Sequence, residues 1–382
     1  MKIGILTLPL HTNYGGILQA YALQTVLQRM GHDVKIIQKT RRDLDASKPC
    51  LIDYLKAVVS KYIFGRNISI RLKKTKKQNI EKWINEDRIV RQNTWPFVQT
   101  HFHLRDIDGF CQLRENEFDI LIVGSDQIWR KQYIRNTLCS DVANAFLGFA
   151  ANWNIKRISY AASFGVDIWE FNKRETKKIR KLINLFERVS VREESGVSLC
   201  KQNLNYPSAI QMPDPTFLLE INDYRRLIED IPLGKGMLHS YILDDTEEKN
   251  EFVKSIARKR SLIVNKTNSK TDDWSFPIEE RIQPPLENWL CAFRDSDFVV
   301  SDSFHACVFS VLFRKQFLVI GNPKRGMARF ETLLKYFGLG NHLIIDTNSY
   351  DITTYADIDY TIIDEKLNSL RLKGLNFLKS YL

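Results

Sequence analysis

The stretch KIGILTLPLHTNYGGILQAYALQTVLQRMGHDVKII, residues 2–37, decides the predicted fold. It begins with a short apolar run, as a buried strand does, and Leu23, Val26 and Leu27 then recur at the spacing of a helix. Gly31 ends that helix as a C-cap, and HDVKII supplies a second strand. The segment therefore predicts a β-α-β unit, with the turn TNYGG between the first strand and the helix.

The same alternation of strands and helices continues along the chain. Further apolar runs that predict strands are FDILIV, RISYAA, GMLHSYIL, FVVS and QFLVIG. Strands that alternate with helices predict parallel sheets, and 382 residues are more than one hydrophobic core usually holds. We therefore predict an α/β fold of two Rossmann-like domains, whose parallel sheets face each other across a cleft.

The predicted domains comprise residues 1–215 and 216–382. We place the boundary within SAIQMPDPTFLL, residues 208–219, where two prolines interrupt the strand–helix pattern. Residues near 41–100 are polar, basic and rich in helix formers, and we interpret them as a helical insertion in the first domain.

The formal net charge of +11 favours anionic partners. Much of the excess lies in residues 66–83 and 172–188, which predict either solvated helix faces or, for 66–83, a peripheral contact with an anionic membrane surface. Aromatic residues are not interleaved with these basic runs, so we expect no nucleic-acid partner.

Other features of the sequence favour a cytoplasmic protein. No apolar run approaches the roughly 18–20 residues of a membrane helix, and the N-terminus has the pattern of a first strand rather than of a signal peptide. Six scattered cysteines without a C-x-x-C pair are typical of reduced thiols. No metal site is predicted, because His101 and His103 have no third ligand nearby in the sequence.

Candidate binding groups lie where predicted strands end, since ligands of open parallel sheets bind there. After the first strand, Asn13, Tyr14 and Gly15 form either an anion-binding turn or a simple strand–helix connection. After FDILIV come Ser125, Asp126 and Gln127. Asp126 could act as a base or bind sugar hydroxyls, and the alternative is an ordinary helix N-cap.

Three later strand ends carry further candidates. Arg192 suits bidentate binding of a carboxylate or phosphate, or else an ion pair within the chain. Ser303 is a plausible N-cap, and His305 beside it is either a proton-exchanging group or a packed histidine. The loop GNPKRGMARF holds Arg325 and Arg329, which suit a phosphate or form a solvated charge cluster.

Six stretches together resemble the polysaccharide pyruvyl transferase family. They are NYGGILQAYALQ, VGSDQIW, YAASFG, SVREESG, DPTFLL and SDSFHACVFSVLF, within residues 1–330. The resemblance implies a fold like that of GT-B glycosyltransferases, in which the C-terminal helix crosses back onto the first domain.

The resemblance also implies a reaction. A pyruvyl group passes from phosphoenolpyruvate to two hydroxyls of a sugar as a cyclic ketal, during synthesis of surface or capsular polysaccharide. Phosphoenolpyruvate is then the donor substrate, no cofactor is expected, and the acceptor is a lipid-linked or nucleotide-linked sugar.

Matching positions take the roles that the family implies. Arg192 would clamp phosphoenolpyruvate, and His305 would act as acid/base or donate to the leaving phosphate, while Asp126 lies in the family's polar loop. Many members have arginine where this chain has Ser303. We infer that Arg325 or Arg329 replaces that arginine.

Two other functions fit the same sequence. A GT-B glycosyltransferase with a nucleotide-sugar donor would have the same fold, with NPKRGMAR as a diphosphate clamp. A non-catalytic glycan-binding protein is the third alternative.

Overall fold

The fold is taken from a computed structural model of the protein. It describes residues 1–39, 82, 84–138, 140–271, 273–323 and 326–382. Most of the predicted insertion near 41–100 lies outside these residues. Its described part is helical over 84–90 and again in the helix α2 given below.

The first half of the chain forms a parallel sheet. Its strands are β1 (Lys2–Leu6), β2 (Asp33–Lys39), β3 (Leu104–Ile107), β4 (Ile120–Val123), β5 (Lys156–Ala162), β6 (Arg188–Val191) and β7 (Ile210–Gln211). Its helices are α1 (Tyr14–Arg29), α2 (Trp95–His101), α3 (Lys131–Asn136), α4 (Lys173–Ile183) and α5 (Glu194–Leu204). Among the described residues the strand order is β3-β2-β1-β4-β5-β6-β7, with parallel pairing throughout.

The second half forms another parallel sheet. Its strands are β8 (Met237–Tyr241), β9 (Ile263–Lys266), β10 (Ser296–Ser301), β11 (Gln316–Ile320) and β12 (Leu343–Ile344), in the order β12-β11-β10-β8-β9 within the described chain. Its helices are α6 (Ile221–Arg226), α7 (Glu247–Arg260), α8 (Ile278–Arg281), α9 (Leu286–Asp295), α10 (Phe304–Leu312), α11 (Ala328–Phe337) and α12 (Tyr360–Tyr381). The predicted α/β fold with two parallel sheets is confirmed.

Apolar side chains cover both faces of the central strands, as parallel sheets require. Ile3 and Ile5 of β1 are completely buried and belong to a hydrophobic cluster that continues into Trp289 of α9 and Phe309 of α10. One core therefore joins the two sheets through α1. The boundary placed at residue 215 stays a prediction.

The last helix, α12, returns to the first sheet as the resemblance implies. The ring of Phe377 lies 5.8 Å from that of Tyr160 on β5, and Arg371 donates a hydrogen bond to the carbonyl of Leu219. Gly374 is required at the crossing, because a Cβ there would overlap Tyr160 and Leu218. Across the part of the chain that is described, no helix combines the length and the apolarity that a bilayer crossing demands.

Candidate active site

The candidate site lies where strands of both sheets end. Asp126 follows β4, Arg192 follows β6, and His305 lies in the first turn of α10, directly after β10. Arg192 and His305 both approach a fourth side chain, Asp214, which follows β7, and Asp126 lies 3.7 Å from Arg192 Nη2. Each of the four exposes 6% or less of its surface, so the site is a buried cluster.

Asp214 is the hub of this cluster. Its Oδ2 accepts a hydrogen bond from Arg192 Nη1 at 2.8 Å and lies 3.4 Å from Ser125 Oγ and 3.5 Å from His305 Nε2. Its Oδ1 accepts from the backbone N–H and the hydroxyl of Thr216. A carboxylate with this many donors is held in one orientation.

Opposing effects act on the pKa of the Asp214 carboxyl. Burial alone would raise it, but the nearby His305 and the charge of Arg192 hold the pKa well below its usual range. Asp214 is therefore ionised at neutral pH and supplies the negative charge that keeps Arg192 buried.

The guanidinium of Arg192 has one hydrogen-bonded edge and one open edge, which Nε and Nη2 form. Nη1 is bonded to Asp214, while Nη2 lies 3.7 Å from Asp126 Oδ1, which is too far for a hydrogen bond. Among the described residues, neither Nε nor Nη2 of Arg192 has a hydrogen-bond partner. Burial would lower the pKa of Arg192, but Asp214, Asp126 and Glu193 raise it, so the guanidinium stays charged.

His305 is packed against the first turn of α1. Gly15 lies so close that a Cβ on it would overlap Cβ, Cγ and Nδ1 of the His305 side chain. The imidazole Nε2 is buried and has no hydrogen-bond partner among the described residues, apart from the 3.5 Å approach to Asp214. A glycine of the first half therefore sets the position of a histidine of the second half.

If His305 takes part in a reaction, Gly15→Ala should lower the turnover by about 10²-fold, because a displacement near 1 Å of a reacting group can cost that much. Alanine is the better helix former, so the variant should keep its secondary structure. Turnover and circular dichroism measure the two effects. Gly340→Ala is the control, since a Cβ there meets no atom within 4 Å. Equal activities of the two variants would contradict the proposed contact.

The loop after β4 presents Asp126 in a constrained conformation. Its φ is +60°, a left-handed value that costs most side chains energy and that aspartate tolerates better than most. Asp126 Oδ2 accepts a weak hydrogen bond from Asn13 Nδ2 at 3.4 Å, and its carbonyl accepts from the N–H of Ser163. Asp126 is therefore not an N-cap, whereas Asn13 caps α1 through the N–H of Gly16.

The neighbours of Asp126 support the loop. Ser125 is completely buried and donates to the carbonyl of Ala161 at 2.9 Å, and Gln127 Oε1 accepts from Arg130 Nη1 at 3.1 Å. Their polar groups are used within the chain, so direct substrate contacts by Ser125 and Gln127 stay predictions.

Phe304 separates two arginines. The guanidinium of Arg192 lies 4.6 Å from the ring centroid and that of Arg329 5.4 Å from it. Burial, followed by the charge of Arg192, lowers the pKa of Arg329 to about 10, so it remains protonated at neutral pH. The structure thus brings Arg329 to the cluster, while Arg325 lies outside the described residues.

Two predicted substrate contacts, Tyr14 and Ser303, have structural roles within the chain. Tyr14 is completely buried, and its hydroxyl donates to the carbonyls of Pro284 at 2.7 Å and Thr267 at 3.3 Å, so it links the two halves of the chain. Ser303 is the N-cap of α10 and accepts from the N–H of Ala306 at 3.5 Å. Substrate contacts by Tyr14 and Ser303 stay predictions.

Glu193 organises a further part of the site that the sequence analysis did not identify. Its Oε1 accepts hydrogen bonds from the hydroxyl of Ser163 and the N–H groups of Phe164 and Gly165. The backbone of Gly326, which precedes Arg329, packs directly on the Gly165 carbonyl. Glu193 therefore fixes the loop against which the Arg329 segment rests.

Asp214 and Phe304 were also missed as site residues. Asp214 stands between two prolines shortly after a strand, so the strand-end rule would have identified it had that stretch not been interpreted only as a domain boundary and a family motif. Phe304 gave no signal, because an apolar residue at a helix start usually belongs to the core. Among the described residues no cluster of His, Cys, Asp or Glu could hold a metal ion.

Comparison with known proteins identifies one family. A family model described as polysaccharide pyruvyl transferase matches residues 13–324. In sequence, no curated protein matches the chain.

Solved structures show distant likenesses. UDP-GlcNAc 2-epimerase from Neisseria meningitidis, bound to UDP-GlcNAc, has a TM-score of 0.46 and 12% identity, over 98% of this chain and 94% of that one. The Methanocaldococcus jannaschii UDP-GlcNAc 2-epimerase in complex with UDP-GlcNAc and UDP has a TM-score of 0.44 and 11% identity, over 98% of this chain and 93% of that one. A mutant O-GlcNAc transferase from Thermobaculum terrenum has a TM-score of 0.43 and 11% identity, over 100% of this chain and 66% of that one. Likenesses at this level do not extend to function or ligands.

Proposed function

This chain belongs to the polysaccharide pyruvyl transferase family, and we propose that it transfers the pyruvyl group of phosphoenolpyruvate to two hydroxyls of one sugar as a cyclic ketal. Family membership makes the protein a transferase that acts in pyruvylation of polysaccharide. The donor, the ketal product and the roles of individual residues are parts of the proposal.

The open edge of Arg192 carries the proposal. Its unpartnered Nε and Nη2 are buried beside the unpartnered Nε2 of His305, so two parallel N–H groups and an imidazole face the same cluster. A guanidinium edge of this kind matches a carboxylate or a phosphate in bidentate geometry. Leaving buried N–H groups unpaired is costly, and an anionic substrate would relieve that cost.

Arg329 supports a dianionic donor. Phosphoenolpyruvate carries a carboxylate and a phosphate, and one arginine already paired with Asp214 compensates only part of that charge. Arg329, on the same ring as Arg192, supplies a second buried cation in place of the arginine that is absent at Ser303. Because the cluster is buried, we infer that residues around it move to admit the donor.

The proposed reaction needs protons at defined places. C3 of the donor takes up a proton, C2 becomes oxocarbenium-like, and a sugar hydroxyl attacks C2 and loses its proton. The C2–O bond to phosphate then breaks, and a second hydroxyl attacks C2 and loses its proton, which closes the ketal. One hydroxyl proton balances the new methyl C–H bond, and the other leaves with the phosphate or the solvent.

We assign these steps to three side chains. His305 would donate to C3 or to the leaving phosphate, and Asp126 would accept a proton from the attacking hydroxyl. Asp214 would hold His305 and Arg192 in place through the contacts described above. Preorganised charges of this kind usually supply the largest share of catalysis. The reaction as proposed needs no cofactor.

Release of phosphate from phosphoenolpyruvate tests the function directly. We expect release only when a sugar acceptor is present, and we expect a pyruvate ketal on that acceptor by mass spectrometry. Lipid-diphosphate-linked and nucleotide-linked glycans are the acceptors to compare. Ketal formation without consumption of phosphoenolpyruvate would refute the proposed donor. Transfer of a sugar from a nucleotide sugar would show that the protein is a glycosyltransferase instead.

Replacing Arg329 with alanine should raise the KM for phosphoenolpyruvate by about 10-fold or more, since a hydrogen bond to a charged group contributes roughly 1.5–3 kcal/mol. Initial rates at varied donor concentration measure the effect. Lys335→Ala is the control, because Lys335 is an exposed cation on the same helix, α11. A donor KM that does not change in Arg329→Ala would remove Arg329 from the donor site.

Cytoplasmic location and a contact with anionic membranes stay predictions. Nearly all of residues 66–83 lie outside the described residues. The second basic stretch forms α4, whose Lys173, Lys177 and Lys181 are exposed opposite buried Ile179, as a solvated amphipathic helix would be.

A further inference from the structure

Trp274 is a large apolar side chain at the protein surface. It exposes 56% of its area, in a loop whose neighbouring side chains are mainly polar. The other tryptophans in the described residues are buried or half-buried, including Trp129, Trp289, Trp95 and Trp153. Fold stability does not explain an exposed indole, because its transfer out of water contributes nothing there.

The indole of Trp274 is held in a fixed orientation. The guanidinium of Arg281 lies 4.0 Å from its ring centroid and covers one face. Arg281 is itself 4% exposed and pairs with Glu86 at 3.0 Å, so the support beneath the ring is anchored in the protein. A cation–π contact of this kind restrains the ring, and more than half of the Trp274 surface stays exposed to solvent.

The loop that carries Trp274 lies on the same edge of the second sheet as His305 of the candidate active site. It follows β9, and His305 follows β10, so both lie at the carboxyl edge of the second sheet. Both ends of the loop, at Thr267 and Pro284, accept hydrogen bonds from the hydroxyl of Tyr14. Tyr14 directly precedes Gly15, the residue that contacts His305.

Hydrogen bonds keep the loop rigid on its inner side. Gln283 Oε1 accepts from Ser269 Oγ at 2.6 Å and from Thr271 Oγ1 at 2.8 Å. The loop also contacts the first half of the chain, where the N–H of Gln283 donates to Val90 and its carbonyl accepts from Asn93. The platform is thus preorganised, which reduces the entropy lost on binding.

We propose that Trp274 is a stacking platform for a pyranose ring of the acceptor glycan, an inference that rests on the proposed function. The apolar face of a pyranose presents polarised C–H groups, and these are attracted to the negative face of an indole. Trp274 binds a sugar unit of the acceptor, while Arg192 and His305 act on the donor. Its loss therefore affects acceptor binding and leaves donor binding unchanged.

Acceptor kinetics test the platform. With the glycan that supports phosphate release, Trp274→Ala should raise the acceptor KM by roughly 3- to 10-fold and leave the KM for phosphoenolpyruvate unchanged. The acceptor KM of Trp274→Phe should lie between those of the wild type and of Trp274→Ala. Ile263→Ala is the matched control, because Ile263 is 74% exposed at the start of β9 and should behave as wild type. An unchanged acceptor KM in Trp274→Ala would overturn the proposal.

A binding experiment without donor separates this proposal from the proposed function. Tetrasaccharides of glucose, galactose and mannose are the probes, and tryptophan fluorescence is the signal. We expect at least one series to change the fluorescence of the wild type and not that of Trp274→Phe. Equal changes in both proteins, or none with any series, would overturn the platform. Sugar binding with no phosphate release would instead refute the function and leave the platform standing.

A second copy of the chain is the competing occupant of this surface. Analytical ultracentrifugation of wild type and Trp274→Ala decides between them. We expect the same oligomeric state for both proteins. A dimer that Trp274→Ala converts to monomers, with unchanged sugar binding, would identify the surface as an interface and overturn the proposal.

Discussion

His305→Ala is expected to lower the rate of acceptor-dependent phosphate release by about 10²–10⁴-fold, the usual contribution of a positioned acid or base. The reason is the placement of its imidazole, which is buried between Gly15 and Asp214 with an unpartnered Nε2 beside the open edge of Arg192. Steady-state rates at saturating donor and acceptor measure the effect. Added imidazole should restore part of the rate if the role is proton transfer.

His342→Ala is the matched control for His305→Ala. His342 is also a buried histidine of the second half, and it packs on Phe317 and Tyr355 away from the cluster. This variant should lose stability and keep its turnover number. If both variants lose activity in proportion to their loss of stability, His305 is a packed histidine and the catalytic role is wrong.

Asp214→Asn is expected to lower the free energy of unfolding by about 3 kcal/mol at neutral pH, because it leaves the buried charge of Arg192 without its main partner. The amide keeps the shape of the side chain, so the loss reports charge and hydrogen bonding rather than packing. Activity should fall as well, since Arg192 and His305 lose the group that orients them. Urea unfolding and initial rates measure the two effects.

The effect of Asp214→Asn should depend on pH in a defined direction. The pKa of Asp214 is depressed in the folded protein, so its stabilisation is fully present above the unfolded pKa, about 3.9 for aspartate. It is lost as the pH falls below that value towards the folded pKa. The stability difference between wild type and variant should therefore shrink as the pH falls below about 4.

Asp346→Asn is the control, because Asp346 is exposed and bonds only the adjacent turn. It should leave stability nearly unchanged at all pH values. An Asp214→Asn variant as stable as wild type at neutral pH would show that Arg192 does not depend on Asp214.

Local sequence patterns were sufficient to predict much of the fold. The apolar runs and the helical spacing after them predicted β1, α1 and β2, and the same alternation predicted parallel sheets in both halves. These signals work because strand and helix periods are properties of neighbouring residues. The strand-end rule then selected Asp126, Arg192 and His305, which do lie together in the structure.

The same local patterns could not predict which residues contact each other within the site. Asp214 was interpreted only as part of a domain boundary and of a family motif. The turn at Tyr14 was interpreted as an anion-binding turn or a simple connection, whereas the Tyr14 hydroxyl binds Pro284, 270 positions away. Contacts of this separation depend on how the two sheets pack around α1. No short-range period encodes that packing.

The sequence by itself thus determined most of the central strands and helices, their parallel pairing, the family and the strand ends where the candidate site residues lie. Only the tertiary structure decided that Asp214 joins Arg192 to His305, that Gly15 positions His305, and that Arg329 reaches the same ring as Arg192. The physical reason is that secondary structure follows from periodic patterns of adjacent residues. A site between two sheets follows from the complementary packing of side chains that are far apart in the chain.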